Sequence, residues 1–362
     1  MAAKQFRVGV LGATGMVGQR FVSLLEGHPW FTVSVVAASA KSAGQTYGEA
    51  VAGRWALAQP IPPTVKDRIV MDASDRARIE DEVDFVLCAV DMTKDETRAL
   101  EDDYASHETP VLSNNSAHRG TPDVPMMIPE INPGHAELIV AQRRRLGTRR
   151  GFVAVKPNCS LQSYVPAIHP LMDLGPRHVA VATYQALSGA GKTLASWPEM
   201  ADNVIPYIAG EEEKSEQEPL KIWGAMEGGR IVPARQPAIS AQCFRVPVSD
   251  GHIAAVFLTL ERAASKDEII ARWREFSGKP QKLGLPSAPQ PFLTYHDDPA
   301  RPQTRLDRDA GRGMGVSIGR LRTDATFSWR FVALSHNTVR GAAGGAILTA
   351  ELLAAESYLE PK

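Results

Sequence analysis

The sequence predicts two halves: an α/β half built on a parallel sheet, then an α+β half whose sheet is mainly antiparallel. Three observations carry this. Apolar runs of strand length alternate with helical segments as far as residue 157, which calls for a parallel sheet with covering helices. Beyond residue 158 strand-like runs follow one another with few helices between them. A glycine-rich turn, Gly12-Ala13-Thr14-Gly15-Met16-Val17-Gly18, separates the first strand from the first helix, as in Rossmann-type folds. A length of 362 residues suits about two domains.

Residues 6–11 are an apolar run that suits a buried strand. After the glycine turn, residues 19–25 read as a helix, stopped near Gly27 and Pro29. Strands follow at 32–38, 69–71, 84–90, 110–113 and 151–155. In the second half, 179–186 is strand-like. Residues 239–248 and 253–261 read as a hairpin around Asp250-Gly251. Residues 265–276 read as a helix with acidic residues early, and 314–322 with 326–335 as another antiparallel pair. The Pro-, Asp- and Arg-rich stretch 280–312 reads as loop. The Ala/Leu-rich stretch 341–357 reads as a helix that returns to the first domain. The expected division is 1–157, 158–335 and a C-terminal segment 336–362. No internal repeat stands out.

Apolar content of 44% and charged content of 22% fit a globular chain with a sizeable core. A net charge of −1 argues against a nucleic-acid partner. Three cysteines without paired spacing argue against a disulfide framework and for a reducing, cytoplasmic setting. Asn158-Cys159-Ser160 formally matches a glycosylation acceptor, but nothing else points to secretion, and residues 1–6 do not read as a signal peptide. No apolar run approaches the roughly 20 residues that span a membrane.

The glycine turn is spaced G-x-x-G-x-x-G, weak alone but well placed between strand and helix. Backbone N–H groups there can hold a pyrophosphate, which makes Gly12, Thr14, Gly15, Met16, Val17 and Gly18 candidates; the plainer reading is a tight turn without a ligand. NAD sites usually carry a carboxylate at the end of the second strand. Here that end offers Ser39, Lys41 and Ser42, donors suited to a 2′-phosphate, so NADP is favoured over NAD.

Cys159 lies in Lys156-Pro157-Asn158-Cys159-Ser160, between a strand and a helical segment. The free N–H groups of such a junction favour a thiolate and an oxyanion. Cys88 and Cys243 read as small buried hydrophobes. His252 ends Arg245-Val246-Pro247-Val248-Ser249-Asp250-Gly251-His252 and is a candidate base, although one histidine of nine after a strand is no rarity. Arg245 is costly in a strand unless it meets an anion. A thiol, a distant imidazole and a dinucleotide turn together suggest hydride transfer to or from an acyl group on Cys159. No metal-ligand spacing is present. Ser188-Gly189-Ala190-Gly191-Lys192-Thr193 resembles the end of a P-loop, but Ala186 stands where its first glycine belongs; a glycine turn near a nicotinamide fits better. Glu211-Glu212-Glu213-Lys214 reads as an exposed helix start for at least two of its glutamates.

As a set, the glycine turn, Pro157-Asn158-Cys159-Ser160, Gln185 before Ser188-Gly189-Ala190-Gly191, Arg245-Val246-Pro247-Val248 with His252, and the run from His336-Asn337-Thr338-Val339-Arg340 through Gly345 resemble aspartate-semialdehyde dehydrogenases. The resemblance runs from about residue 5 to 355 and is closest to the archaeal and fungal branch. It implies a Rossmann-type domain, a catalytic and dimerisation domain, and NADP-dependent reductive dephosphorylation of L-4-aspartyl phosphate to the semialdehyde, a step of lysine, threonine, methionine and isoleucine biosynthesis. By motif, Cys159 would be the nucleophile, His252 the acid/base and Gln185 the residue orienting the acyl group beside Asn158. Arg245 would bind the substrate carboxylate, Glu211 its ammonium, and Lys214 and Arg119 its phosphate. Ser188, Gly189 and Asn337 would line the nicotinamide. The family's members are homodimers or homotetramers. Two other readings stay open: a malonyl-CoA or succinyl-CoA reductase of the same fold, and an NADP-binding sensor without catalysis.

Overall fold

The structure, a computed structural model, describes residues 5–362. Six strands form one parallel sheet: β1 (Phe6–Leu11), β2 (Phe31–Ala38), β3 (Met71–Asp72), β4 (Phe85–Cys88), β5 (Val111–Ser113) and β6 (Val153–Val155). Their order is β3-β2-β1-β4-β5-β6. Val8, Val10, Leu87 and Val111 are fully buried, as a sheet covered on both faces requires. The order reverses between β1 and β4, and crevices for ligands form beyond the C-terminal strand ends at such a switch. The first helix starts at Met16 rather than at residue 19, so the last glycine of the turn is helical. A Cβ at Gly18 would lie 2.1 Å from the Gly12 carbonyl oxygen, so only glycine lets the helix sit this close to the strand.

The second half holds β7 (Pro176–Gln185), a small hairpin of β8 (Ala225–Glu227) and β9 (Arg230–Val232), and β10 (Ala238–Arg245), β11 (His252–Leu260), β12 (Leu293–His296), β13 (Val316–Thr323) and β14 (Trp329–Ser335). The large sheet runs β10-β7-β11-β14-β13-β12. Its three central pairings are antiparallel, and β10 and β12 join the edges in parallel. The expected hairpin around Asp250-Gly251 is therefore wrong: β7 lies between β10 and β11. Pro247 supplies the reason, since a proline cannot donate to a ladder and β10 stops at Arg245. The stretch 280–312 is also more than loop. It contains β12 and two short helices, Lys279–Leu283 and Thr304–Asp307.

The helix Glu211–Ile222 covers the β10 edge, where Glu216 and Glu212 accept from the Ala241 and Cys243 N–H groups at 3.0 and 3.2 Å. The helix Leu161–Ile168 is buried along its whole length and shares one apolar cluster with Val86 and Val111 of the first sheet and Val256 and Phe331 of the second. A π-helical turn, Val339–Ala343, leads into the helix Gly344–Ala355, whose residues are buried from Gly344 to Ala354. A helix this largely apolar belongs inside, its one charged residue, Glu351, meeting His28 at 2.9 Å, and it packs with Phe6, Val10, Phe21 and Leu112 of the first half. Arg340 of the π turn grips Glu130 through two bonds of 2.6 Å, both side chains buried. Among the described residues no helix is long and apolar enough to cross a membrane.

Candidate active site

β6 ends at Val155, and Lys156-Pro157-Asn158-Cys159 turns the chain into the helix Leu161–Ile168. Asn158 fixes this turn. Its Oδ1 accepts from the Ser160 N–H at 2.8 Å and the Ser160 hydroxyl at 2.7 Å, while its own N–H donates to Glu218 at 2.6 Å. The amides of residues 158 and 160 are thus occupied, which narrows the expected set of oxyanion donors near Cys159. Behind the turn lies Gly341, where a Cβ would fall 3.0 Å from the Cys159 Cβ.

Strand register assembles the opposite wall. Arg245 pairs with Gln185 at the ends of β10 and β7. β11 begins at His252, which faces Ser335 on β14, and the next residue, Ile253, pairs with Tyr184. Gln185, Arg245 and His252 are all buried at this one sheet edge. A Cβ at Gly189 would lie 2.8 Å from an Arg245 nitrogen and 3.1 Å from His252 Nε2, so Gly189 sits over the Arg245–His252 pair itself. Asn337 donates to the Ser188 hydroxyl and accepts from the Gly251 N–H, both at 2.8 Å, tying the Ser188 turn to the residue before His252.

Cys159 Sγ is 3.4 Å from His252 Nε2. On the far side of the ring, Nδ1 accepts from the Ala186 N–H at 3.1 Å. A ring whose Nδ1 is an acceptor carries its proton on Nε2, so the imidazole presents a donor to the sulfur. Burial, with Arg245 beside it, pulls the His252 pKa down to about 3 and keeps the ring neutral. Burial and the charge of Glu211 push the Cys159 thiol up, against the pull of Lys156, Arg119 and Arg245.

Glu211 is the acceptor hub. It takes two bonds from Asn158 Nδ2 at 2.9 and 3.0 Å, one from Gln185 at 3.2 Å and one from Lys214 at 2.9 Å. Burial opposes its charge, yet Lys214 and these bonds hold its carboxyl below the usual range. Arg119 reaches the same region, bonded to Glu218 at 3.1 Å and to the Asn114 carbonyl at 2.9 Å. Arg245 spends one nitrogen on the Ala186 carbonyl at 2.7 Å and meets no carboxylate among the described residues.

Two cavities flank the glycine turn. One, about 250 Å³, is lined by Gly12, Thr14, Gly15, Ser39 and Arg54 among others. The other, about 280 Å³, opens between Met16 and Arg20 on one side and Ser188, Lys192 and Asp250 on the other. Gly12 has a positive φ of 81°, and a Cβ there would lie 2.3 Å from the Ala89 carbonyl oxygen. This glycine cradle, with Ser39 and Arg54 and no carboxylate at the end of β2, fits a dinucleotide bearing a 2′-phosphate. Lys41 is exposed and lines neither cavity, while Ser42 is buried and accepts from Arg54 at 3.1 Å. Val17 lies in the first turn of the helix behind the glycine turn.

Sequence reasoning missed Arg54, Gln19 and Glu218. Gln19 donates to the Thr14 and Arg54 carbonyls, both at 3.0 Å, and so moors Arg54 to the glycine turn. Its position one residue past the last glycine was the available signal. Glu218 lies seven residues after Glu211, on the same helix face, a spacing that was readable.

Comparison with known proteins finds relatives along nearly the whole chain. The family model described as "Semialdehyde dehydrogenase, NAD binding domain" matches residues 7–139, and "Semialdehyde dehydrogenase, dimerisation domain" matches 168–340. An aspartate-semialdehyde dehydrogenase of Archaeoglobus fulgidus is 44% identical over 98% of this chain and 100% of its own length. One of Methanothermobacter thermautotrophicus is 45% identical over 96% of this chain and 98% of its own. A crystal structure of the Candida albicans enzyme with NADP superposes with a TM-score of 0.87 at 36% identity, covering 98% of this chain and 100% of that one.

Proposed function

The chain belongs to the aspartate-semialdehyde dehydrogenase family, and on that premise we propose that it reduces L-4-aspartyl phosphate to L-aspartate 4-semialdehyde through a Cys159 thioester, with NADPH as reductant. One observation carries the reading: a thiol 3.4 Å from an imidazole, in a pocket that also holds a guanidinium, Arg245, and a carboxylate, Glu211. A substrate with both a carboxylate and an ammonium needs one of each.

Arg245 takes the α-carboxylate and Glu211 the ammonium, with Asn158 and Gln185 holding the Glu211 oxygens in place. Arg119 and Lys214 receive the phosphate. Cys159, ionised with its proton given up to solvent, attacks the acyl carbon through Sγ; the bond from that carbon to the phosphate oxygen breaks, and phosphate leaves with the electron pair. NADPH, when bound, would supply the hydride that the thioester carbon takes up, with Ser188, Gly189 and Asn337 at its nicotinamide end. Throughout, His252 directs Nε2–H at the substrate oxygen that gains charge, and Cys159 recovers its sulfur electron pair when the carbon–sulfur bond breaks.

Residues 1–157 serve as the NADP domain, 158–335 as the catalytic and dimerisation domain, and 336–362 as the C-terminal segment whose helix returns to the NADP domain. On this reading the chain works in the cytoplasm as a homodimer or homotetramer; the match to a dimerisation domain and the stacked, partly exposed pair Tyr184 and Phe244 on the second sheet support the self-association.

The test is phosphate-dependent reduction of NADP with aspartate semialdehyde, run beside NADPH oxidation with malonyl-CoA. Turnover in the first assay alone is expected. Turnover in the second alone would favour the acyl-CoA reductase, and turnover in neither the sensor.

A further inference from the structure

We infer that Lys156 is the counter-cation of Cys159: a positioning residue that shares one bare glycine face of the C-terminal segment with the cysteine and whose ammonium favours the thiolate. The inference rests on Cys159 being the nucleophile.

Lys156 is 4% exposed. Its Nζ donates to the Pro157 carbonyl at 2.6 Å, and among the described residues no carboxylate lies within ion-pair distance of it. A buried ammonium without an anionic partner is costly, so its place needs a reason. The glycines of the C-terminal segment show what it faces. A Cβ at Gly341 would lie 3.0 Å from the Cys159 Cβ, and a Cβ at Gly345 would lie 3.4 Å from Lys156 Cδ and Cε. Four residues apart, these glycines share a face, and the cysteine and the lysine stem both meet that face.

The charges around the pair leave no other partner. Arg119, Arg340, Glu218 and Cys159 all act on Lys156. Arg340 is matched by Glu130 and Arg119 by Glu218, so the two carboxylates nearby are taken. On the side of Cys159, Glu211 is matched by Lys214, and Arg245 is open to the substrate carboxylate. The imidazole cannot take the thiol's proton while its own occupies Nε2. A thiolate here depends on nearby cations, and Lys156 is the one with no other anion to serve. Burial alone works against both charges, drawing Lys156 down to about 7 and pushing the thiol up; against it, Cys159 draws Lys156 back up, and Lys156 is the foremost cation lowering the thiol.

The test is alkylation of Cys159 by iodoacetamide across pH, on the ligand-free full chain, for the unaltered protein, Lys156→Met and Lys156→Gln. Both variants should raise the pH midpoint of alkylation by about one unit or more, which is about a tenfold slower reaction near neutrality, with an unchanged plateau at high pH. A purely structural lysine would not move the midpoint in a folded variant. Unfolding transitions and NADPH affinity verify the fold. An unchanged midpoint in a folded variant overturns the inference. Should neither variant fold, lysine side-chain NMR of the unaltered protein and Cys159→Ser decides. Loss of the sulfur should lower the Lys156 midpoint by a similar amount, and equal midpoints overturn the inference. Turnover of Cys159→Ser is read separately: an active variant sinks the nucleophile itself, whereas an inactive one with an unmoved midpoint sinks only the role of Lys156.

Discussion

The glycine-turn crevice and the Cys159 pocket are built in opposite ways. The first comes mostly from consecutive chain: strand, turn and helix within residues 6–25, closed by Ser39 and Arg54. The second gathers Cys159, Gln185, Glu211, Arg245, His252 and Gly341 from separate elements, and strand register alone brings three of them to one edge. Backbone shapes the crevice, so its side chains tune selectivity. Paired charges shape the pocket, so in the proposed mechanism each of its side chains carries a distinct part of the chemistry.

Substitutions should expose this contrast. Cys159→Ser should lower turnover by about a thousandfold or more, yet NADPH binding, followed by fluorescence, should persist because the crevice is built separately. Near-normal turnover would erase the distinction. Glu211→Gln and Arg245→Lys should each reduce kcat/KM for aspartate semialdehyde about ten- to hundredfold, consistent with roughly 1.5–3 kcal/mol for a charged hydrogen bond. Lysine cannot reproduce the planar grip of arginine. With a substrate lacking the amine the Glu211→Gln effect should vanish.

In the crevice, effects should be smaller and selective. Ser39→Asp and Arg54→Ala should raise the KM for NADPH by about tenfold and leave that for NADH nearly unchanged, because only the 2′-phosphate is addressed. Equal losses for both cofactors would place Arg54 in a structural role. A pH series tests the buried pocket. His252 is drawn to about 3, and His336 and His169 to about 4, from an ordinary 6.5, each chiefly by burial. Neutral in the fold, they take up protons more readily when unfolded. Their stabilisation is complete above about pH 6.5 and drains as pH falls toward 4, so the denaturant midpoint should fall over that window. An unchanged midpoint between pH 7 and pH 5 would mean that these rings are protonated in the fold. The smallest effect belongs to Cys88→Ser, on a fully buried strand residue: little change in kcat and a loss of about 1 kcal/mol in stability.

The same contrast explains what the sequence disclosed. Strand and helix periodicity placed β1 to the residue and the parallel half in order, because those signals are local. The β10–β11 hairpin failed because an Asp-Gly turn does not say which strands pair; β7 came between them, and Pro247 was the warning. Cys159, His252 and Arg245 stood out because a thiol at a turn and an arginine in a strand are costly without a purpose. Arg54 did not, since a lone arginine after Gly53 looks like surface until β2 and the glycine turn bring the crevice to it. Lys41 drew notice by its charge and its place after β2, yet it is exposed and lines neither cavity.

Gly341 has one more consequence. The floor beneath Cys159 comes from a stretch of chain made long after the cysteine itself, and the helix that follows completes the core of the first half. During synthesis the thiol therefore leaves the ribosome without its floor. It gains its native surroundings only when Gly341 and the helix behind it dock, so the pocket around Cys159 cannot be complete before residue 355 has been translated.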